Sequence, residues 1–202
     1  MSSLLARTLV EAYLFVDLTA MASEQDDAHE PARDYEAHTK LSEGSGAWRL
    51  RFDGHGLGLA LAFEVLVPYE SEFQARREHL RFGDGPSRLI DAGQWRVVSA
   101  GYAARAMADD LRYREGSEDS ALLESVVLGW ESARDAVAEV AKFLPEGSGE
   151  VPATAFWSDM GEAALRDEPE LFTREAVEGD VAFFQRRLDD LAGPHPEEHA
   201  EG

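Results

Sequence analysis

The sequence predicts an α+β fold in which a small antiparallel β-sheet packs against a C-terminal bundle of four or five helices. Between residues 47 and 67, large apolar residues alternate with arginines or with small residues, as in half-buried strands. Beyond residue 90, apolar residues recur every three or four positions between capping and stop signals, as in amphipathic helices. The composition, 44% hydrophobic and 29% charged residues over 202 positions, is typical of a globular protein.

The first apolar segment, residues 7–19, has two interpretations. At a period of two, five apolar residues between Val10 and Leu18 share a face, whereas at the helical period four residues between Leu5 and Val16 do. The β-branched and aromatic content favours a strand. Residues 22–46 are polar, and we expect a mobile acidic loop, or one that is partly helical around residues 33–41.

A β-hairpin is predicted over about residues 47–67. Its first strand is Trp48–Phe52, and its second strand runs from Leu57 to Val67. The segment Asp53–Gly56 between them is rich in turn-forming residues. A short and weakly patterned helix over Ser71–Phe82 follows the hairpin.

The C-terminal half begins with a capping box, in which Asp91 is the N-cap and Gln94 the third helical residue. The helix that starts there should run to about Tyr113. It has two apolar stripes on nearly opposite sides, so we expect it to be contacted from both. One stripe contains Trp95, Val98, Tyr102 and Ala106, and the other contains Val97, Ala100, Ala104, Met107 and Leu111.

Three further helices are predicted from the same periodicity. Trp130 lies on the apolar seam of the first of them, and we expect both Trp130 and Trp95 to be buried. The three helices run from Ser117 or Asp119 to before Pro145, over about residues 155–165, and from Thr173 to Gly193.

The organisation that follows is one folding unit with two subdomains. Residues 1–82 form a small β-rich subdomain that includes the acidic loop 22–46, and residues 83–193 form a helical subdomain. Residues 194–202 are a polar tail that we expect to be disordered.

Charge and cysteine content exclude several classes of function. Asp and Glu total 40 against 19 Lys and Arg, which gives a net charge of −21, and residues 106–202 alone carry −16. Such a field repels nucleic acid and anionic membranes and favours a basic partner protein. The chain has no cysteine, which excludes thiol catalysis, disulfides and cysteine-ligated metals.

A cytoplasmic protein is expected. No apolar run approaches the length of a transmembrane helix. Residues 4–22 end in Ala20-Met21-Ala22, a pattern seen at signal-peptide cleavage sites, but Glu11 and Asp17 interrupt the apolar region that a signal peptide needs.

The chain contains partial matches to known cofactor and metal-binding motifs, but each match is excluded by its context or by the residues at its key positions. Gly54-x-Gly56-x-Gly58 follows a strand, but the chain then continues as a strand instead of opening a helix, so it is not a dinucleotide fingerprint. His55 and Leu57 occupy ligand positions of the calcium-loop spacing that begins at Asp53, and neither supplies a carboxylate. We therefore predict no catalytic residues, no metal and no cofactor.

The preferred function is a non-catalytic acidic module that binds a basic protein, as an immunity protein binds a toxin. Its candidate docking residues are Glu131, Asp135 and Glu139, which form an i, i+4 row opposite the apolar seam of their helix. Steering by pooled charge would speed association at low salt. The alternative use of this row is an ordinary solvated helix face.

A second hypothesis is a small-molecule enzyme or carrier with an anion pocket at the sheet face. Arg49 and Arg51 alternate with buried residues of their strand and should point off one outer face. Three arginines of the following short helix would complete the pocket, unless the surplus carboxylates pair with them. These are Arg76, Arg77 and Arg81.

Two segments carry a resemblance. The sequences LRFGDGPSRLIDAGQW at residues 80–95 and AFWSDMG at residues 155–161 resemble those of a group of uncharacterised actinobacterial proteins, over about residues 80–190. The resemblance implies a zinc-ribbon-like N-terminal half with Cys-x-x-Cys knuckles in the relatives. This chain has the turn at Asp53–Gly58 in place of the second knuckle. Its β-hairpin would then be stabilised by the packing of its apolar faces and not by a metal. The resemblance implies no activity.

Overall fold

The computed structural model describes residues 4–23, 34–115 and 119–192, and these residues form the predicted α+β fold. The described strands are β1 (Leu4–Leu5), β2 (Thr39–Glu43), β3 (Ala47–Asp53) and β4 (Ala62–Pro68). The described α-helices are α1 (Leu9–Ser23), α2 (Tyr69–Arg77), α3 (Ala92–Arg114), α4 (Ser120–Ala141), α5 (Asp159–Asp167) and α6 (Arg174–Ala192). The four helices α3 to α6 confirm a helical bundle in the C-terminal half.

The chain divides into two compact units. The first takes its described residues from the ranges 1–94 and 154–163, and the second takes them from 95–153 and 164–202. The first unit holds the sheet with α1 and α2, and the second holds most of α3 together with α4 and α6.

The sheet of the first unit is mixed, with the strand order β1-β4-β3-β2. The antiparallel hairpin of β3 and β4 confirms the prediction, and Leu50 lies opposite Val65 within it. β1 pairs with β4 in parallel, so the sheet is not purely antiparallel as expected. Leu50, Val65 and Phe52 are fully buried on the inner face.

The connection between the hairpin strands is longer than predicted, because β4 starts at Ala62 instead of Leu57. The Asp53 side chain accepts the His55 N–H (3.2 Å), and a 3₁₀ turn follows over Gly54–Leu57. Gly58 then has φ +77°, a left-handed conformation that favours glycine. These turns keep residues 57–61 out of the β-ladder.

The prediction of a strand over residues 7–19 is wrong, because these residues start helix α1. The N–H of Glu11 donates to the Thr8 hydroxyl (3.1 Å), and the Glu11 carboxylate accepts the Arg7 N–H (2.6 Å). This is a variant of the capping box, and it decides the conformation of an ambiguous segment. Val10, which a strand would bury with Val16, is 44% exposed.

Part of the predicted acidic loop 22–46 is structured, and a 3₁₀ turn over Glu36–His38 lies inside the range 33–41 for which partial helix was the alternative. Residues Thr39–Glu43 form β2, in which Leu41 pairs with Leu50 of β3. Residues 24–33, which the sequence predicts to be mobile, lie outside the described residues. Ser117, Gly193 and the tail 194–202 lie outside them as well. β2 lies at the sheet edge and is mostly exposed, so it has no apolar alternation that would have predicted it.

The helix ends follow local chemistry. α2 stops at Arg77, earlier than predicted, because His79 takes a left-handed conformation (φ +56°) and the Leu80 N–H turns back to the Ala75 carbonyl (2.9 Å). The predicted capping box of α3 is confirmed: the N–H of Gln94 donates to Asp91 (2.8 Å). Asp119 caps α4 by accepting the Ala121 N–H (2.9 Å).

In the second unit α4 is the central helix, a place that the sequence assigned to α3. A Cβ on Gly129 of α4 would lie 2.8 Å from the Cβ of Ala106 of α3, so glycine permits this close approach. Toward α6, Trp130 is buried with its ring 5.8 Å from that of Phe184. Trp95 is buried as well, as predicted.

Candidate functional site

The predicted docking row does not form a solvated face. Glu139 is only 3% exposed, and the Lys142 ammonium donates to its carboxylate (2.5 Å). Asp135 is half-buried and accepts two bonds from the Arg134 guanidinium (2.8 and 3.1 Å), and Glu131 is half-buried too. The expectation that all three face solvent is wrong, because α4 is buried on more than the one seam that its periodicity shows.

Four of the five predicted arginines lie on the sheet or on α2, whereas Arg81 lies beyond the end of α2 and is half-buried. Arg49 and Arg51 are exposed on the outer face of β3, as expected. Arg76 donates to Glu72 (2.7 Å), and Arg77 lies 3.4 Å from the Glu78 carboxylate. Two of the arginines thus pair with carboxylates of their own segment.

A third cation joins the sheet arginines where the sequence predicted a loop. Lys40 of β2 lies opposite Arg51, and Glu64 of β4 lies opposite Arg51 on its other side. All three side chains are exposed, and Arg49 pairs in register with Ser42. The arrangement is an open basic face with one carboxylate in it.

A depression on the surface of α2 is lined by one of the predicted arginines. Its lining residues are Glu70, Phe73, Gln74 and Arg77, and its volume is about 570 Å³. Because all four belong to a single helix, they form an open surface and do not enclose a ligand.

The second unit contains a pocket with walls from several elements. Its volume is about 310 Å³, within the range of small ligand sites. The wall is mainly apolar: Val97 and Ala100 come from α3, and Phe184 comes from α6. Leu171 and Phe172 come from a 3₁₀ turn, Pro169–Phe172, that precedes α6. The remaining lining residues are Arg96, Ser99, Ala164, Glu168 and Asp180.

The only guanidinium among the pocket's lining residues is already paired. Arg96 is 8% exposed and donates to the Asp180 carboxylate, whose side chain is 40% exposed. Burial of an arginine requires such a charge partner, since an isolated buried charge is costly. Glu168 at the rim is exposed, so the lining residues carry two carboxylates against one guanidinium.

Further bonds hold the helices around this pocket. The Ser99 hydroxyl donates to the Ala133 carbonyl (2.8 Å), which joins α3 to α4. At the far end of α3, the buried Asp110 accepts bonds from Arg187 of α6 (2.5 Å) and from Arg114 (2.9 Å). The Asp110 carboxylate raises the pKa of Arg114 above its usual value. Helix α3, which forms one wall of the pocket, is therefore bonded to α4 near its N-terminal end and to α6 near its C-terminal end.

This arrangement suits a ligand that is cationic and partly apolar. The aromatic wall can pack against a methylene stem or a ring, and the rim carboxylates can accept bonds from an ammonium or guanidinium. Asp180 neutralises Arg96, so the carboxylate of Glu168 leaves the lining with a net negative charge. This charge would repel an anion. The sequence could not reveal this pocket, since Arg96 and Asp180 lie 84 residues apart.

Two surveys of the described residues complete the picture. In the part of the chain that the structure describes, no group of three or more His, Cys, Asp or Glu side chains could hold a metal ion. Among the described helices, none combines the length and the apolar composition that a membrane crossing requires.

The chain matches no protein-family model, no curated protein and no solved structure. The resemblance to an actinobacterial group therefore stays an expectation from the two sequence segments alone.

Proposed function

We propose that this chain is a non-catalytic, cytoplasmic binding module for a basic protein partner, in the manner of an immunity protein. The pocket of the second unit receives a cationic side chain of that partner. The net charge of −21 attracts the partner over a distance, and the pocket fixes where it docks.

The observation that carries this proposal is the charge balance of the pocket. Its single arginine is bonded to Asp180, and Glu168 adds a further negative charge at the rim. An apolar wall beside this rim gives a lysine or arginine of the partner both a surface for its stem and an acceptor for its head group. Glu131 and Asp135 remain candidates for a second contact.

The test compares two charge reversals with the same effect on net charge. Glu168→Arg changes the pocket rim, and Glu124→Arg changes an exposed position of α4 that does not line the pocket. A partner captured from a lysate of the source organism is identified, purified and titrated against each variant at low and high salt. Glu168→Arg should weaken binding about tenfold, equivalent to about 1.4 kcal/mol, more than Glu124→Arg does.

Two results would contradict the proposal. One is a captured partner that is acidic or whose association rate does not fall with salt. The other is equal weakening by Glu168→Arg and Glu124→Arg, which would show that only the overall charge matters and that the pocket is not the docking site.

The basic face of the sheet supports a second candidate function, the binding of a small anion. Lys40, Arg49 and Arg51 are exposed on one face of a protein that is otherwise strongly acidic. If this face binds phosphate, inorganic phosphate should raise the melting temperature by mass action, and the double variant Arg49→Gln/Arg51→Gln should abolish the rise. An equal rise in both proteins would exclude the sheet face as the site.

A further inference from the structure

The loop between α2 and α3 holds an aspartate against the peptide nitrogen of the glycine that follows it. The backbone N–H of Gly85 donates to the carboxylate of Asp84 (2.8 Å). Gly83 and Gly85, on either side of Asp84, have left-handed conformations with φ +95° and +66°. Two such residues bend the main chain sharply, which glycine allows without strain.

This contact brings together the two groups that react when an aspartate isomerises. A bond between the Gly85 nitrogen and the side-chain carbon of Asp84 would close a five-membered ring, and glycine has no side chain to hinder the closure. Because the reaction is intramolecular, its rate depends on how closely the two groups are held. The Asp84 carboxylate is exposed to water, and among the described residues it has no other hydrogen-bond or ion-pair partner.

We propose that Asp84 is a site of spontaneous covalent modification, at which aspartate converts to isoaspartate through a cyclic imide. The Gly85 nitrogen forms a bond to the Asp84 side-chain carbon, and one carboxyl oxygen leaves as water with the carboxyl proton and the amide proton. Water then opens the ring at the main-chain carbonyl of Asp84 and breaks its bond to the Gly85 nitrogen. Gly85 stays attached to the side-chain carbonyl, so the main chain gains one carbon and the mass is unchanged.

The other Asp-Gly dipeptide of the chain, Asp53-Gly54, is held in a way that opposes this reaction. The Gly54 N–H donates to the Leu61 carbonyl (2.8 Å) and not to the Asp53 carboxylate. That carboxylate pairs with the His55 imidazole (2.7 Å) and accepts the His55 N–H (3.2 Å). The bond from the His55 side chain lowers the pKa of Asp53 below its usual value, and an ionised carboxylate is a poor electrophile.

Isomerisation at Asp84 would loosen the start of α1. The Gly85 carbonyl accepts a bond from the Arg7 guanidinium, and Arg7 also pairs with Glu11 of α1 (2.7 Å). A Cβ on Gly83 would lie 2.6 Å from the Cβ of Arg7, so this loop and Arg7 are in close contact. An extra main-chain carbon at Asp84 displaces the Gly85 carbonyl, and the isomerised chain therefore loses its bond to Arg7.

The first experiment incubates the whole protein at neutral pH and follows both dipeptides by trypsin digestion and mass spectrometry. Cleavage after Arg81 and Arg88 releases Asp84 in the peptide 82–88, whereas Asp53 leaves in a different peptide. Isoaspartate should accumulate about tenfold faster at Asp84 than at Asp53, because only Asp84 is held against the nitrogen that attacks it. In protein unfolded by urea the two sites should react at similar rates. Equal rates in the folded protein, or a faster reaction at Asp53, would overturn the proposal.

Two variants repeat this test with a simpler measurement. The chain has no asparagine, so Asp84→Asn and Asp53→Asn each introduce a single amide that closes the same ring with loss of ammonia. Opening of the ring leaves an acid in place of the amide, which the mass of the intact protein reports. Asp84→Asn should deamidate about tenfold faster than Asp53→Asn in the folded chain. Deamidation at equal rates, or in the reverse order, would contradict the proposed role of the Asp84 contact.

The consequence for α1 is measured separately. Protein isomerised at Asp84, separated by ion-exchange chromatography, should melt at a lower temperature than fresh protein. Asp84→Glu keeps the charge but cannot close a five-membered ring, so its melting temperature should stay constant during the same incubation. An unchanged melting temperature of the isomerised protein would show that the bond to Arg7 is not lost. None of these measurements involves a partner, so the proposed function is tested independently.

Discussion

Asp91→Ala is expected to lower the free energy of unfolding by about 3–4 kcal/mol, because one buried carboxylate caps α3 and also accepts three bonds from the residues that precede α5. One of its oxygens accepts the Gln94 N–H at the start of α3 (2.8 Å). The other accepts the N–H groups of Trp157 and Ser158 (3.0 and 2.8 Å) and the Ser158 hydroxyl (2.7 Å), just before α5. Alanine removes four acceptor contacts at a position with no access to water.

Asp119→Ala is the matched control, since Asp119 is also an N-cap aspartate but is exposed at the start of α4. Its removal should cost about 1 kcal/mol, because water can replace the lost acceptor. Asp91→Asn should also destabilise, because its amide group would face N–H donors on one side. Urea titration of the three variants measures the differences, and an Asp91→Ala cost no larger than that of Asp119→Ala would show that the contacts of Asp91 with Trp157 and Ser158 add nothing to its cap of α3.

The same carboxylate explains why the two segments that carry the resemblance belong together. A Cβ on Gly161 would lie 2.2 Å from an Asp91 oxygen, and a Cβ on Gly93 would lie 2.5 Å from the Gly161 Cα. Ser158 both donates to Asp91 and accepts the Gly161 N–H (2.9 Å). These residues fix two helix starts against each other, so their pattern has a structural cause and does not identify an activity.

Local sequence patterns predicted most of the helices and strands. They failed where tertiary contacts, or a cap that the prediction did not use, determine the conformation. The hairpin and the later helices have clear periodicity, and the Asp91 cap of α3 was visible in four residues. The α1 helix was missed because its period was ambiguous, although Thr8 and Glu11 already have capping-box spacing. β2 could not be predicted, because an exposed edge strand has no pattern of its own.

The candidate site was the least predictable part of the molecule. A helical wheel shows which residues share a face, but it does not show how many neighbours the helix has. Glu139 is buried for that reason, and Val97, Met107 and Leu111 of α3 are exposed for the same reason. The pairing of Arg96 with Asp180 depends on how α3 and α6 pack, which no local pattern encodes.

Trp130→Ala is expected to cost about 3–5 kcal/mol, the range for removal of a buried aromatic side chain. Trp130 is 1% exposed, and its ring lies 5.8 Å from that of Phe184 and 6.4 Å from that of Phe183. The Arg187 guanidinium lies 5.5 Å from the centre of the ring, a cation–π distance. Alanine would leave a cavity between α4 and α6 that these rigid neighbours cannot fill.

Two variants separate packing from hydrogen bonding at Trp130. Trp157 is 46% exposed, so Trp157→Ala should cost less than about 1 kcal/mol while its backbone N–H still donates to Asp91. The Trp130 indole N–H has no acceptor among the described residues, so Trp130→Phe leaves no acceptor unpaired and should cost only about 1–2 kcal/mol. A cost for Trp130→Phe close to that of Trp130→Ala would mean that the indole N–H stabilises the fold and that ring packing is the smaller contribution.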